Sequence, residues 1–299
     1  MENYVILFGI KFNINPIAFT IPIGEGWSVY WYGIIIALGF LAAIVYGYIM
    51  AKKMGIDIDR MLDVVLVTTP VAILCARAYY VIFDTNKITS IKEFFGLDGS
   101  GFSGLAIYGA VIGAFICGFV MCKLRKINFL DMFDLAAVGF ILAQGVGRWG
   151  NFVNQEAYGI PTGSDWWGMS GSRIGDELVH PCFLYESVWC IAGFFVLHYI
   201  IRHRKFKGQT FLGYCIWYGF MRGFLELLRT DSLMLGNIRV SSILSFTICI
   251  AGVITMAVLL NRQNVKAKET AYIPMFVEEA DEELTEEILS EETKDEQVD

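Results

Sequence analysis

Arg222, Glu226 and Arg229 stand at i, i+4 and i+7 in MRGFLELLR, a spacing that lines two guanidiniums and a carboxylate along one stripe of a helix. The residues around them are apolar, and an ionised group in such surroundings is costly unless it is paired or functional. Arg148 raises the same question in GRWGNFVNQEAYG, where it shares nine positions with Asn151, Asn154, Gln155 and Glu156 directly after the oily FDLAAVGFILAQG. Arg77 in CARAYY and Glu186 in HPCFLYES complete the set. Arginine offers a planar fork of donors and does not lose its charge, which suits it to phosphate. Because these arginines outnumber the nearby acids, the expected chemistry is capture of an anion, with phospholipid headgroups the abundant source in a membrane. A structural ladder, in which Glu226 neutralises both neighbours and only fixes helix packing, is the competing reading.

Two residues could move a proton beside such a site. Tyr108 precedes Gly109 and Gly113, a GxxxG that either brings two helices into contact or lets a backbone approach a ligand. His180 is the only histidine on the same side of the expected membrane. His198 and His203 fall at the other end of their apolar segment and are read as solvated.

The elements that must carry these residues follow from composition. A chain of 299 residues that is 56% hydrophobic and 18% charged lies outside the range of soluble domains. Windows long enough to cross a hydrocarbon core, about 20 residues, fall near 29–50, 61–83, 104–122, 129–147, 183–201, 210–228 and 238–260. The expected fold is an all-α polytopic membrane protein of seven transmembrane helices. Lysine and arginine gather in AKKMGIDIDR, KLRK, RHRKFK and NRQNVKAK, after the first, third, fifth and seventh windows. Basic loops stay cytoplasmic, so the N-terminus is expected outside, the C-terminus in the cytoplasm, and the charged residues above in the outer half of the membrane.

Residues 1–28, broken by Pro16, Pro22 and glycines, read as an external interfacial lead-in to a catalytic domain over 29–262. The external loop 149–182 carries Trp166 and Trp167, suited to the headgroup level. The net charge of −7 comes from Glu278–Asp299, which hold twelve acids and one lysine and leave 22 basic and 18 acidic residues in the body. Residues 263–299 are therefore expected to be a solvated, disordered cytoplasmic tail. The seven cysteines lie mostly in apolar windows and read as small hydrophobes. No CxxC or histidine cluster has metal-ligand spacing, and neither a cofactor nor a nucleic-acid partner is expected.

GRWGNFVNQEAYG, Gly147 to Gly159, resembles at every fixed position the signature G-R-x-G-N-F-x-N-x-E-x-x-G of the prolipoprotein diacylglyceryl transferase family. WYG at 31–33, ARAYYV at 76–81, HPCFLYE at 180–186 and RGFLELLR at 222–229 follow in the family's order, so the resemblance spans about residues 20–262. It implies an enzyme of the bacterial plasma (inner) membrane, its active site towards the outer leaflet. That enzyme would move the sn-1,2-diacylglyceryl group of phosphatidylglycerol to the lipobox cysteine in the signal peptide of a preprolipoprotein, forming a thioether and releasing glycerol phosphate. Arg148 and Arg222 match the family's essential arginines. Tyr32, Arg77, Asn151, Asn154, Glu156, Gly159, Glu226 and Arg229 match positions implied to bind or brace the substrate. The chain departs from the family where many members read H-G-G-L and it reads YGAV at 108–111, so Tyr108 stands for a histidine often proposed as base. Either His180 takes the thiol proton, or Tyr108 orients the substrate while arginines acidify the thiol. A seven-helix receptor shares the topology but needs no such charge cluster. An anion transporter would use intramembrane arginines, but with discontinuous helices near the midplane.

Overall fold

The computed structural model describes residues 3–22, 27–83, 94, 104–230, 234–235 and 238–266. Among them are seven helices: α1 (Trp31–Lys53), α2 (Ile58–Phe83), α3 (Ile107–Leu124), α4 (Phe129–Asn154), α5 (Cys182–Arg202), α6 (Gln209–Leu228) and α7 (Val240–Lys266). All but α6 are long and apolar enough to cross a membrane by length and composition. Leu38, Leu41, Leu66, Ile116, Phe195 and Ile254 are exposed on them, outward faces that suit lipid and would be unfavourable in water. α6 is interrupted by Arg222, Glu226 and three glycines.

The fold is mostly helical, and the all-α expectation is corrected by eight short strands among the described residues. The residues read as an interfacial lead-in form β1 (Tyr4–Leu7), β2 (Ile10–Asn13), β3 (Ile17–Ile21) and β4 (Trp27–Tyr30). The external loop contributes β5 (Met169–Gly171) and β6 (Gly175–Val179). They make a β2-β1-β5-β6 sheet and a β3-β4 hairpin, and β7 (Met234–Leu235) pairs with β8 (Ile238–Arg239). Antiparallel pairing satisfies the backbone of segments whose prolines and glycines bar a long helix. The first four-stranded sheet depends on a β1-β5 pairing, Val5 opposite Gly171, between residues far apart in sequence. Val5, Phe152, Met169, Val179 and Phe183 form a buried cluster between this sheet and the ends of α4 and α5.

The chain divides into two compact units, Met54–Phe133 and the remainder. In the first, Gly109 and Gly113 pack directly on α2. A Cβ at Gly113 would come within 2.6 Å of Cys75 Cβ, and one at Gly109 would strike Cys75 O. The GxxxG is thus a helix contact. In the second unit α1 and α4 run antiparallel through small residues: a Cβ at Gly39 would lie 3.0 Å from Ala143 O, and one at Gly139 would lie 3.2 Å from Ala43 Cβ. Asp134 on α4, fully buried, accepts from Arg204 Nη1 at 2.6 Å, Gly208 N at 2.8 Å and Phe211 N at 2.9 Å. It caps the N-terminus of α6 from a neighbouring helix. Arg204, expected in a cytoplasmic basic loop, is engaged in that cap. The acidic tail from 267, nearly all of the connection 84–103 and half of the connection 230–239 lie outside the described residues.

Candidate active site

α4 runs past the expected end near 147 to Asn154, so Asn151 and Asn154, expected in the external loop, join Arg148 in its last two turns. The helix then stops through a left-handed residue, Gln155, at φ 56°. Gln155 N donates to Phe152 O and Glu156 N to Asn151 O, the paired bonds of a Schellman turn with glutamine where glycine is usual. The buried Gln155 side chain holds that backbone in place: Nε2 donates to Ser172 Oγ at 3.1 Å, and Oε1 accepts from Arg173 N at 2.9 Å. The turn folds Glu156 back on α4, where its Oε1 accepts from Asn151 Nδ2 at 2.9 Å and Asn154 Nδ2 at 3.4 Å. Asn151 Oδ1 in turn accepts from Arg148 Nη1 at 3.2 Å. The signature is a relay from an exposed carboxylate through a buried amide to a guanidinium.

The other fork of Arg148 meets Glu186 on α5, Nη2 to Oε1 at 2.6 Å. Glu186 is 2% exposed, and Tyr218 on α6 donates to the same oxygen at 2.8 Å. Its second oxygen faces Arg222 Nη1 at 3.9 Å, an ion pair too long for a hydrogen bond. Arg222 Nη2 pairs with Glu226 Oε2 at 2.5 Å across one helical turn. Arg222 Nη1 is buried and has no hydrogen-bond acceptor among the described residues. One carboxylate thus lies between two guanidiniums from different helices, and one of their inward donors is unspent.

The end of α6 is fixed from α7 and from β8 just before it. Ser242 Oγ donates to Gly223 O at 2.8 Å, and Arg239 Nη1 donates to Glu226 O and to Arg229 O. Arg229 pairs its backbone with Gly159 in an isolated bridge, so the last signature residue is tied to the arginine stripe. Gly159 N also donates to His180 O at 2.9 Å, and a Cβ at Gly159 would lie 2.7 Å from His180 Cβ. His180 Nδ1 lies 3.1 Å from Tyr185 Oη, which accepts from Trp167 Nε1 at 2.8 Å. Trp167 stacks on Phe8, whereas Trp166 is exposed, so only one of the two tryptophans faces outward. The Tyr32 ring lies on α4: a Cβ at Gly150 would come within 2.6 Å of it.

Tyr32, Arg148, Asn151, Asn154, Glu156, Gly159, His180, Arg222, Glu226 and Arg229 therefore all belong to one compact unit. Arg77 and Tyr108 belong to the other. There Arg77 is buried and donates to Phe94 O and Gly104 O, while Tyr108 is 37% exposed near the Tyr79 ring. The charge balance is closer than the sequence suggested: Arg148, Arg222, Arg229 and Arg239 stand against Glu156, Glu186 and Glu226, one positive charge in excess. From the sequence, Glu186 stood out as an intramembrane acid and Gln155 as a polar neighbour of Arg148, neither with a part in the site, while Tyr218 and Arg239 did not stand out at all. Tyr218 lies four residues before Arg222, a spacing that places it one turn away on the same face.

A family model described as prolipoprotein diacylglyceryl transferase matches residues 16–258. A phosphatidylglycerol-prolipoprotein diacylglyceryl transferase of Clostridium novyi is 41% identical over 270 residues, covering 86% of this chain and 99% of its own. The enzyme of that name from Finegoldia magna is 42% identical over 258 residues, covering 86% and 100%. The one from Bacillus velezensis is 39% identical, covering 81% and 91%.

Proposed function

The chain belongs to the prolipoprotein diacylglyceryl transferase family, and from that membership we propose how its arginine pair works. It is a membrane enzyme that transfers a diacylglyceryl group from phosphatidylglycerol to a prolipoprotein, the first step of lipoprotein maturation. The acceptor is the thiol of the lipobox cysteine, in the signal peptide of a preprolipoprotein. The sulfur attacks the sn-3 carbon of the lipid; the S–C bond forms as the C–O bond to phosphate breaks, and the electron pair leaves on glycerol phosphate. A phosphodiester of one negative charge becomes a monoester that gains the charge of the attacking thiolate.

Groups that bind this added charge more tightly than the starting diester accelerate the step. Arg148 and Arg222 are suited to that role because Glu186 holds both. The observation that carries the reading is the unspent Nη1 of Arg222 on the side of that shared carboxylate. Both oxygens of Glu186 are already engaged, one by Arg148 and Tyr218 and the other facing Arg222, so it is not the group left free to take the thiol proton. His180 is the better acceptor for the thiol proton. The phenol oxygen of Tyr185, already accepting from Trp167, can take Nδ1–H and leave the Nε2 lone pair for the thiol. Tyr32, Asn151, Asn154, Glu156, Gly159, Glu226 and Arg229 shape and brace the headgroup site, Arg77 braces the loop carbonyls it meets, and Tyr108 orients substrate. The seven helices cross the bacterial plasma (inner) membrane with the N-terminus outside, the C-terminus cytoplasmic and the site towards the outer leaflet. The ends Lys52–Lys53 of α1, Lys123 of α3 and Arg202 of α5 support that orientation.

The test is incubation of the purified protein with labelled phosphatidylglycerol and a lipobox peptide carrying either cysteine or serine. Only the cysteine peptide gains the mass of a diacylglyceryl group, and Arg148→Ala abolishes the gain; modification of the serine peptide, or of neither, contradicts the reading.

A further inference from the structure

One turn along from the ionic site, α5 and α6 are joined by two tryptophans in a reciprocal arrangement. Trp189 Nε1 donates to Trp217 O at 3.0 Å, and Trp217 Nε1 donates to Trp189 O at 3.0 Å. The indoles stack at 4.5 Å between centroids and 24° between planes, and Phe220 extends the stack. Gly193 makes room, since a Cβ there would collide with the Trp217 indole. Tryptophan in membrane proteins usually sits at the interface with its N–H towards water. These two lie instead in the middle of α5 and α6, each using the second lone pair of a carbonyl on the facing helix.

Their place in the sequence ties them to the site. Trp217 immediately precedes Tyr218, whose hydroxyl donates to Glu186, and Trp189 follows Glu186 by three residues. Slipping one helix along the other by a single residue shifts it about 1.5 Å and turns it about 100°. That slip would break the 2.8 Å bond from Tyr218 to Glu186 and carry Glu186 off Arg222. A single indole bond would tolerate rotation about its own axis; two reciprocal bonds with stacked rings define one register. On the α4 side Glu186 is anchored separately, by Ser187 Oγ donating to Gly145 O at 2.8 Å and accepting from Trp149 Nε1 at 3.2 Å.

We infer that Trp189 and Trp217 are positioning residues for diacylglyceryl transfer: their reciprocal hydrogen bonds lock the α5–α6 register that sets Glu186 between Arg148 and Arg222. The inference rests on the proposed role of the arginine pair. It is tested with Trp189→Phe/Trp217→Phe, which keeps two stacked rings and removes both N–H donors, made alone and with Tyr218→Phe. Trp166→Phe, on an exposed side chain, is the control expected to act as wild type. The lock predicts that the double phenylalanine variant loses about tenfold in kcat with KM for phosphatidylglycerol little changed. It also predicts a further loss of less than about twofold once Tyr218→Phe is present, because both changes release the same carboxylate. Full multiplication of the two losses, or an unchanged kcat, overturns it. The same cycle read on the unfolding midpoint in detergent needs no turnover. If the wild-type protein transfers nothing, the proposed function falls, while coupled midpoints still uphold the lock and additive midpoints refute it.

Discussion

Glu186 is 2% exposed and joins the two arginines proposed to carry the reaction, so the electrostatics of the proposed site turn on one buried carboxylate. Breaking a buried pair of this kind by removing one partner costs about 3–5 kcal/mol, which is why the arginines hold their orientation before any lipid arrives. The proposed proton acceptor, His180, lies outside this pair. His180→Gln, which removes the proposed acceptor, is expected to lower kcat about 100-fold at neutral pH, within the usual range for a general base. Tyr108→Phe is expected to cost less than about tenfold, the size of an orienting hydrogen bond. Steady-state transfer rates of the two purified variants decide this, and the reverse order would move the proton to Tyr108. Residue types were the most legible part of the sequence: an arginine with amide neighbours at the end of an apolar run pointed to an anion site. The neutralising partner was harder to see, because Glu186 lies 38 residues from Arg148 and no spacing rule links residues on different helices.

Helices were legible because a membrane demands about 20 apolar residues in a row, and all seven windows coincide with helices in the structure. Their ends were not. The signature from Trp149 on was expected in a loop, yet α4 continues to Asn154 because Asn151 and Asn154 find partners in Glu156, and Gln155 accepts a left-handed backbone in return for two side-chain hydrogen bonds. The β1-β5 pairing joins residues too far apart for any local pattern to reveal, whereas the β1-β2 and β3-β4 hairpins are local and were overlooked because their short apolar runs, broken by proline and glycine, were read as an interfacial lead-in. Glycines of the signature serve the elements differently. Gly150→Ala forces the Tyr32 ring off α4 and is expected to lower kcat/KM at least tenfold, roughly the effect of an ångström-scale misplacement. At Gly147 a Cβ meets nothing within 4 Å, so Gly147→Ala is expected to raise the unfolding free energy by about 0.5–1 kcal/mol through helix propensity. Thermal unfolding in detergent alongside activity separates the two; a Gly150→Ala enzyme at wild-type rate would remove Tyr32 from the site.

Across the whole molecule, the family match ends at residue 258 and the acidic run begins at 278, so charge and catalysis are separated along the chain. Deleting Glu278–Asp299 is expected to change transfer by less than about twofold, as for a solvated tail, and a larger loss in the same assay would assign that tail a part in the reaction. The mildly basic body, by contrast, carries the proposed site: two guanidiniums from α4 and α6, held on one carboxylate of α5, and proposed to meet the phosphate that gains charge as the lipid's C–O bond breaks. Lysine keeps the charge of arginine but lacks the planar fork that can hold Glu186 and a phosphate oxygen together. The most direct test is therefore the transfer rate from phosphatidylglycerol to a lipobox cysteine peptide by Arg148→Lys and Arg222→Lys, each shown to unfold like wild type. The account predicts that each loses at least about 100-fold in kcat/KM, as expected when a preorganised transition-state donor is displaced; either lysine variant transferring at the wild-type rate would contradict it.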